Sequence, residues 1–541
     1  MSARRDLTDN DRQTARTDVH RCAPTRAWHP GLGAEVGLSA YGIIVFLAGL
    51  VALNTSYRWS IYGLVIFSLL ACAVALVLPG GIGIMPANLF LAFFMIRAFN
   101  LGGGKTLCES VSIGKPGFWL LCTCAWGVFG AIVLPRALAG STLVFTIDRN
   151  ADPNSAGLLQ PLGPVSGNLS QAVYCLGDLM VFCGMYVMLK CRGAYDALAK
   201  AVLALTALDV LAAVVDIGSH LVGVDALAFV KTAEFAYFNG SELGGLLRIS
   251  GTFSETSAFA YFTLQLFAFC TNLWLVGYRP KVAGALAAAT GVLLLLSTSG
   301  SAYVGLAGYL MVLFVSRPAR ISRASNARKA RMWVIMLCLG VLAALYIVLF
   351  MPGVARALGD FAQATVLSKA DSQSGVERSS FNSQAFTNFL DTYGIGVGLG
   401  SVRVSSFVMV VLACLGVVGA ICYTTFLAKS ALSPISRDYP FADRAVCYAA
   451  RHGMYAALIV ATLTASIFDL GVCFYVLAAA AGGLQVRARR RAAMPVRRRT
   501  VVVDDATVVV SGAQAQDGQP QRVLAPVRLG ARRAPGWGGR R

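Results

Sequence analysis

The chain has 541 residues, of which 57% are hydrophobic and only 13% are charged, and its mean hydropathy is +0.66. Soluble domains carry roughly 25% charged residues, so this composition excludes an ordinary soluble protein and predicts a polytopic membrane protein. The formal net charge of +20 does not indicate a nucleic-acid partner, because the arginines cluster in short loops and tails beside apolar runs. That pattern is typical of the cytoplasmic loops of membrane proteins.

The first 33 residues are polar and rich in arginine. They contain no apolar core before a small-residue cleavage site, so we expect a basic cytoplasmic tail and no cleavable signal. The 14 cysteines of the chain lie in apolar runs, in predicted cytoplasmic loops or in this tail. Their distribution argues against a disulfide framework, and Cys122 and Cys124 are expected to pack inside a helix.

Residues 34–486 are predicted to form an all-α transmembrane domain. Its apolar runs approach the ~20 residues that a spanning helix requires. They lie at about 36–53, 61–79, 84–98, 118–136, 171–190, 199–217, 256–277, 282–298, 302–316, 333–351, 404–428, 453–468 and 470–486. Prolines and glycines between 79 and 86 interrupt the pair at 61–98, which forms either two spans or one span with a re-entrant piece. We therefore expect about 12 spans with both tails cytoplasmic.

Basic residues predict the orientation of these spans. The segment 317–331 carries six basic residues and no acidic one, and the C-terminal tail, 487–541, is also rich in arginine. Both are therefore expected on the cytoplasmic side. Alternation then assigns three polar intervals, near 137–170, 218–255 and 352–403, to the periplasmic side. The C-terminal tail is predicted to be disordered, although 501–510 is a β-prone run that could pair with another segment.

The second outer interval ends in Arg248-Ile-Ser-Gly-Thr-Phe-Ser-Glu-Thr-Ser257, immediately before a span. Ser254 or Thr256 is expected to cap that helix, with Glu255 in its first turn, where the helix dipole favours an acidic residue. Arg248 would then face the membrane surface with donors available for an anion. An interfacial arginine that binds phospholipid head groups explains the same spacing.

The third outer interval, 352–403, is the longest, and the active site is expected here. Loops longer than ~12–15 residues are usually functional or disordered, and a disordered tether would be poor in aromatic residues. This interval contains Phe381, Phe386, Phe389 and Tyr393. Aromatic content therefore favours an ordered, functional loop.

A glycine run follows Glu377 and Arg378 in the same interval. Gly396-Val-Gly-Leu-Gly400 precedes Arg403 at the entrance of the next span. Glycines allow backbone amides to approach a ligand closely, and successive amides in such turns bind anions. The run is not a P-loop, since no Gly-Lys-Ser/Thr follows. The alternative is that Gly396, Gly398 and Gly400 only shape a turn.

These stretches, with the Ser-rich stretch Leu296-Ser-Thr-Ser-Gly-Ser301, resemble the O-antigen polymerase and O-antigen ligase superfamily of bacterial envelope proteins. The similarity consists of an Arg-x-x-Gly-x-Phe stretch before a span, a Ser-rich stretch between spans, and a long outer loop with an arginine and then Gly-x-Gly-x-Gly. It covers roughly residues 230–430. Members often have an arginine in the Ser-rich stretch, where this chain has Gly300 and Ser301, and small hydroxyl residues there also suit helix packing.

The resemblance implies a metal-independent glycosyltransferase, without a cofactor, in the bacterial inner membrane. Such an enzyme takes a glycan from an undecaprenyl diphosphate carrier at the periplasmic face. Family arginines in the outer loops bind the donor diphosphate, a role that maps onto Arg248 and Arg378, with Arg403 assisting. Ligases typically have a histidine soon after the glycine motif, and 401–407 contain none. That absence favours a polymerase joining lipid-linked repeat units of an exopolysaccharide, capsule or O-antigen.

The chemistry of this transfer needs cations and a base. A diphosphate leaving group gathers negative charge in the transition state, and positioned arginines stabilise it. A general base can take the proton of the acceptor hydroxyl. Glu255 and Glu377 are the first candidates, followed by Asp391 and His220; an ion pair with the neighbouring arginine is the alternative role for each glutamate.

Two other functions remain open. An O-antigen ligase would transfer finished polymer to lipid A-core, and a transporter or flippase of lipid-linked glycans would bind without catalysis. Transporters hold their charges near the bilayer midplane in broken helices, whereas the charges here concentrate in outer loops. Three aspartates nevertheless fall in apolar runs, where carboxylates are usually functional: Asp178, Asp209 and Asp216.

The partners expected from this assignment are an undecaprenyl-diphosphate-linked glycan and membrane lipids. A chain-length regulator and a flippase are candidate protein partners, and no nucleic acid is expected.

Overall fold

A computed structural model describes residues 37–78, 82–146, 158–224, 226–233, 248–351, 373–493, 499–503 and 506–510. The predicted N-terminal tail and parts of the three outer intervals (147–157, 234–247 and 352–372) lie outside the described residues. The chain divides into two compact units, Met1–Ala488 and Arg489–Arg541.

The first unit is mostly helical. Its helices are α1 (Ala40–Asn54), α2 (Tyr57–Phe67), α3 (Pro86–Ser110), α4 (Pro116–Ala137), α5 (Ser166–Met188), α6 (Ala194–Val222), α7 (Thr256–Val276), α8 (Pro280–Leu296), α9 (Gly300–Val315), α10 (Ser325–Phe350), α11 (Gln373–Asp391), α12 (Phe407–Ala431), α13 (Phe441–Thr464) and α14 (Val472–Ala493). A 3₁₀ turn, Pro318–Arg320, precedes α10.

Eight of the described helices are long and apolar enough to cross a membrane: α3, α4, α5, α6, α7, α10, α12 and α13. Shorter apolar helices are α1, α8, α9 and the first part of α14, Val472–Leu484. Length and composition thus confirm the predicted class, a mostly helical protein that crosses the membrane several times. The boundaries of α7 and α8 fall close to those predicted from hydropathy.

Local sequence explains where several helices begin and end. The Ser39 hydroxyl accepts the amide of Gly42 and caps α1, and a proline begins each of α3, α4 and α8, where its missing N–H costs nothing. Gly277 ends α7 with a left-handed backbone, φ +89°, and its amide bonds to the carbonyls of Leu273 and Trp274. These signals place helix ends at predictable residues.

The apolar run at 61–79 does not form one spanning helix. The helix α2 ends at Phe67, and the chain then turns into an antiparallel hairpin of β2 (Leu76–Leu78) and β3 (Ile82–Ile84), which β1 (Gly37–Leu38) extends to three strands. Another hairpin pairs β4 (Leu143–Phe145) with β5 (Leu159–Pro161). The described helices of the first unit are therefore accompanied by two small sheets.

Two tyrosine hydrogen bonds show which connections lie near the two ends of α1. We call the side predicted to face away from the basic segment 317–331 the outer side. In the first turn of α1, the Tyr41 hydroxyl donates to the carbonyl of Phe229, in the outer connection after α6. At the start of α2, the Tyr57 hydroxyl donates to the carbonyl of Arg192, in the opposite, inner connection. The helix α1 thus runs from the end of the bundle near Phe229 to the end near Arg192.

The helix α13 begins twelve residues before the predicted run at 453–468, at Phe441. Arg451 and His452, which precede the predicted run, are buried within this helix. The Arg451 guanidinium donates to the carbonyl of Ala481 at 3.3 Å, and a ring nitrogen of His452 lies 3.3 Å from the Tyr309 hydroxyl. Hydropathy failed here because the bundle itself supplies the partners that these polar side chains need.

The described cysteines of the bundle are free. Cys124 is buried beside Cys175, with 3.1 Å between the two sulfurs, in agreement with a packing role for the cysteines of this run.

The second unit contains a hairpin. Its strands β6 (Arg499–Val503) and β7 (Ala506–Val510) pair antiparallel, with Val501 opposite Val508. The β-prone run therefore pairs within itself. In addition, α14 continues to Ala493, past the predicted boundary at 486.

Candidate functional site

Arg248 lies in a turn that the carboxylate of Asp216 holds in place. One carboxylate oxygen, Oδ2, accepts the successive amides of Ser250 and Gly251 at 2.8 and 2.9 Å. Gly251 has a φ of +55°, in the left-handed region that glycine favours. The Thr252 hydroxyl donates to the carbonyl of Leu69 at 2.8 Å. The Arg248 turn, residues 248–253, is thus fixed between α6 and the segment after α2.

Lys231 and Cys72, which no sequence motif marks, also contact this part of the chain. The Lys231 ammonium lies 3.0 Å from the Ser250 hydroxyl, and the buried Cys72 thiol contacts the Ser254 side chain. The amide of Ala233 donates to the carbonyl of Cys72. Burial raises the pKa of the Cys72 thiol above its ordinary value. The structure therefore gathers a second cation and a thiol at the predicted arginine site.

Glu255 is the N-cap residue of α7 and not part of its first turn, which corrects the expected capping by Ser254 or Thr256. Its exposed carboxylate accepts the hydroxyl of Ser257. The carboxylate therefore remains close to the helix N-terminus, where the helix dipole stabilises negative charge.

His220, another predicted base, is partly exposed at the outer end of α6. Its Nε2 lies 3.7 Å from Oδ1 of Asp216, one turn earlier on the same helix. His220 is therefore next to the carboxylate that anchors the Arg248 turn.

The described part of the third outer interval begins with α11, an amphipathic helix. Its buried face includes Phe381 and Ala385, while Glu377 is exposed and Arg378 half-buried. The Arg378 guanidinium lies 3.5 Å from the carbonyl of Leu463, in the last turn of α13. Among the residues that the structure describes, neither Glu377 nor Arg378 forms an ion pair within 4.0 Å. The expected alternative of a Glu377–Arg378 ion pair is thus absent there.

Arg403 stacks on an aromatic ring of α11, the helix that carries Arg378. The Arg403 guanidinium carbon lies 4.9 Å from the centre of the Phe381 ring, a cation–π contact. Arg378 precedes Phe381 by three residues on α11, a spacing that puts two side chains on one helix face. Phe145 of the β4–β5 hairpin packs edge-on against Phe381 and accepts the Arg403 amide through its carbonyl. The structure therefore places Arg403 against α11, the helix that also carries Arg378.

Asp391, another candidate for the general base, has a different environment. Its exposed carboxylate accepts the hydroxyl of buried Thr142 at 2.6 Å, at the C-terminal end of α11. Arg378 lies 13 residues earlier, near the opposite end of this helix, which at ~1.5 Å per residue separates the two Cα atoms by roughly 20 Å. Asp391 therefore fastens α11 to the first outer interval and does not accompany Arg378.

The glycine run packs against helix backbones. Gly396, Gly398 and Gly400 are buried and have φ values of +92°, +91° and +79°. A Cβ on Gly398 would lie 2.5 Å from the carbonyl oxygen of Gly130 in α4, and a Cβ on Gly400 would collide with the Gly167 carbonyl in α5. No larger residue fits at these positions without movement of the backbone.

The amides of this run bond to the protein. The Gly396 amide donates to the Thr392 hydroxyl, and the Gly398 amide donates to the Cys414 carbonyl. That carbonyl is available because α12 is broken at Gly416, which has non-helical backbone angles. In place of the proposed anion-binding turn, the structure therefore gives these glycines a packing role.

The Ser-rich stretch forms the tight reversal between α8 and α9. Ser297 and Ser299 are buried, and the Ser299 and Ser301 hydroxyls lie 2.8 Å apart. Thr298 adopts a φ of +51°, which is unusual for a β-branched residue. The packing role expected for this stretch agrees with its burial.

The connection between α13 and α14, residues 465–471, links the two arginine sites. Arg378 contacts α13 just before this connection, and the Tyr261 hydroxyl of α7 donates to the carbonyl of Leu470 within it at 2.8 Å. Its Asp469 accepts the Gly471 amide and lies within hydrogen-bonding reach of buried Asp178 on α5. Burial raises the pKa of Asp469. Sequence reasoning missed Asp469, which no motif marks.

Two carboxylic acids in hydrogen-bonding contact share a proton most favourably when one is ionised. Asp178 and Asp469 are close enough for their side chains to interact. In the described ranges no group of three or more histidine, cysteine or acidic side chains is placed to hold a metal ion.

Comparison with known proteins gives no relative. No family model matches the chain, and no curated protein or solved structure matches it. The resemblance to the O-antigen polymerase and ligase superfamily therefore stays a prediction from the motifs.

Proposed function

We propose that this protein is a polymerase that joins undecaprenyl-diphosphate-linked oligosaccharide repeat units at the periplasmic face of the bacterial inner membrane. The observation that carries the proposal is that neither Arg378, on α11, nor Arg403, which stacks on the Phe381 ring of that helix, has a carboxylate partner within 4.0 Å among the described residues. Unneutralised arginines at a membrane surface favour an anionic ligand. A lipid diphosphate is the anionic group that such an enzyme must hold.

In the proposed reaction, the acceptor hydroxyl attacks the anomeric carbon of the donor sugar. A new C–O bond forms as the bond to the diphosphate breaks, and undecaprenyl diphosphate leaves with the electron pair. Arg378 and Arg403, with Arg248 from the second outer interval, stabilise the charge that develops on the leaving group. The hydroxyl proton passes to a general base.

Glu255 and Glu377 remain the proposed bases. Both carboxylates are exposed, and neither forms an ion pair within 4.0 Å with a described residue. An unpaired carboxylate next to an arginine site can accept a proton without first breaking an ion pair. This reaction uses no metal and no cofactor.

The proposed topology assigns the membrane crossings to the eight long helices and the shorter apolar helices around them. About 12 helices then form the bundle, with α2 and the segment after it as an interrupted span. In this topology the donor glycan and the surrounding lipids are the partners, together with a flippase that supplies the donor and a regulator of chain length.

A transporter of lipid-linked glycans is the second candidate, because polar groups also lie inside the bundle. Asp178 and Asp469 contact each other between the helices, and α12 is broken at Gly416. Transporters combine intramembrane carboxylates with discontinuous helices. The two functions differ in whether glycan chains grow.

Electrophoresis of surface polysaccharide from a deletion strain tests the proposal. The strain is complemented with wild type, Arg378→Ala, or Arg437→Ala, whose arginine is exposed in the connection between α12 and α13. A polymerase predicts polymer with wild type and Arg437→Ala, and single repeat units on the lipid carrier with Arg378→Ala. Full-length polymer retained on the carrier of the deletion strain would instead identify a ligase. Normal polymer in the deletion strain would exclude both enzymes.

A further inference from the structure

Asp216 is a buried carboxylate near the outer end of α6, in a setting where an ion is costly. Its side chain is only 3% exposed. The titratable side chain next to it is His220, whose Nε2 lies 3.7 Å from Oδ1 of Asp216. Its other described partners are the amides of Ser250 and Gly251. Two successive backbone amides that converge on one oxygen form an anion-binding arrangement. In this protein the carboxylate of Asp216 occupies that anion-binding position.

We infer that Asp216 is a positioning residue for the donor-binding arginine Arg248, an inference that rests on the proposed function. The bonded amides are two and three residues after Arg248. Since consecutive Cα atoms are ~3.8 Å apart, the Arg248 Cα lies within roughly 8 Å of the first anchored residue. Asp216 therefore fixes the backbone that presents the guanidinium, without contacting the ligand.

The opposite side of the turn is held by neutral and cationic groups. The Lys231 ammonium approaches the Ser250 hydroxyl at 3.0 Å, and Thr252 bonds to the carbonyl of Leu69. These bonds restrain side chains of the turn, whereas Asp216 alone satisfies the amides of Ser250 and Gly251 among the described residues. Loss of the carboxylate would leave both amides without an acceptor in a buried position, and the turn would then rearrange.

A second aspartate on the same helix separates this role from a general contribution to stability. Asp209 lies seven residues before Asp216, is also buried, and accepts the Thr263 hydroxyl at 2.9 Å. Its described hydrogen bond goes to α7 and not to the Arg248 turn. Asp209→Asn is therefore a matched control: it neutralises a buried carboxylate of α6 and leaves the turn anchored.

Binding of undecaprenyl diphosphate to the purified full-length protein in lipid nanodiscs tests the inference. We expect Arg248→Ala and Asp216→Ala each to raise Kd about ten-fold or more, and Asp216→Asn to have a smaller effect because the amide retains one acceptor oxygen. Asp209→Asn should change Kd by less than about two-fold. Hydrogen exchange should accelerate at the amides of Ser250 and Gly251 in the Asp216 variants and not in Asp209→Asn.

Each outcome decides a separate point. Wild-type Kd in Asp216→Ala together with weak binding in Arg248→Ala would overturn the positioning role and leave the proposed function intact. Wild-type Kd in both Arg248→Ala and Arg378→Ala would overturn the proposed function itself. If Asp216→Ala does not fold, Asp216→Asn decides: an unchanged Kd with accelerated exchange at both amides would also refute the inference.

Discussion

The guanidinium of Arg378 lies 3.5 Å from the main-chain carbonyl of Leu463, although 85 residues separate the two in sequence. The contact joins α11, on the outer side, to the last turn of α13, whose carbonyls carry the negative end of the helix dipole. One long hydrogen bond leaves most of the five guanidinium donors available for a ligand. Arg378 is therefore held in place by the bundle and still able to bind an anion.

The first prediction concerns the charge and shape of this side chain. Arg378→Ala should lower the polymerisation rate by about 10²–10³-fold, the usual effect of removing one donor that stabilises a developing anion. Arg378→Lys should recover only part of the rate, since an ammonium cannot bind a phosphate through two parallel bonds. Rates are measured as chain growth in membranes with matched protein levels. Equal polymerisation rates for wild type and Arg378→Ala would show that Arg378 is not part of the site.

The second prediction concerns the glycine run. Gly398→Ala should destabilise the protein by at least about 2 kcal/mol more than Gly140→Ala. Both glycines have positive φ, but a Cβ on Gly398 would meet the Gly130 carbonyl, whereas no atom lies within 4 Å of one on Gly140. Thermal unfolding in detergent measures the difference. Equal losses of stability in the two variants would mean that the close packing of Gly398 against α4 does not contribute to stability.

The third prediction concerns Asp469, whose pKa is raised by burial. A raised carboxyl pKa stabilises the folded state at pH values below the ordinary value near 3.8, and this contribution is lost as the pH rises through the raised value. Wild type should therefore lose more stability than Asp469→Asn between about pH 4 and about pH 8. If the melting temperatures of the two proteins change in parallel across this pH range, the pKa of Asp469 is not raised.

The fourth prediction concerns the side on which α1 begins. Because Tyr41 contacts the outer connection at Phe229, an epitope tag placed directly before Gly37 should bind antibody on intact spheroplasts. The same tag after Arg541 should bind only after the membrane is permeabilised. If antibody labels the first tag only after permeabilisation, α1 begins on the cytoplasmic side, as the arginines of the tail predict.

Hydropathy predicted much of the fold because apolar runs of sufficient length have few alternatives to a spanning helix. The same reasoning failed at α13, where Arg451 and His452 interrupt the apolar pattern and find partners within the bundle. It also failed after Phe67, where β2 and β3 form a hairpin in place of a continued helix. Composition alone does not reveal whether a polar residue inside a run has a partner on another helix.

The site was predictable where its residues form a local pattern. Arg403 stood out as a cation beside a predicted span, and the structure places it on the Phe381 ring of α11, the helix that carries Arg378. Asp469 meets Asp178 across 291 positions of sequence, and Lys231 meets Ser250 through the fold. Such pairs depend on how the helices pack, which no spacing in a single sequence encodes.

The central claim is that this protein lengthens lipid-linked glycans, and reconstitution tests it most directly. Purified protein in liposomes is given the lipid-linked repeat units that accumulate in the deletion strain, and the products are separated by electrophoresis. We predict a ladder of two or more repeat units with release of undecaprenyl diphosphate, and no ladder with Arg378→Ala. Single repeat units that cross the bilayer without growing would contradict the claim and identify a transporter.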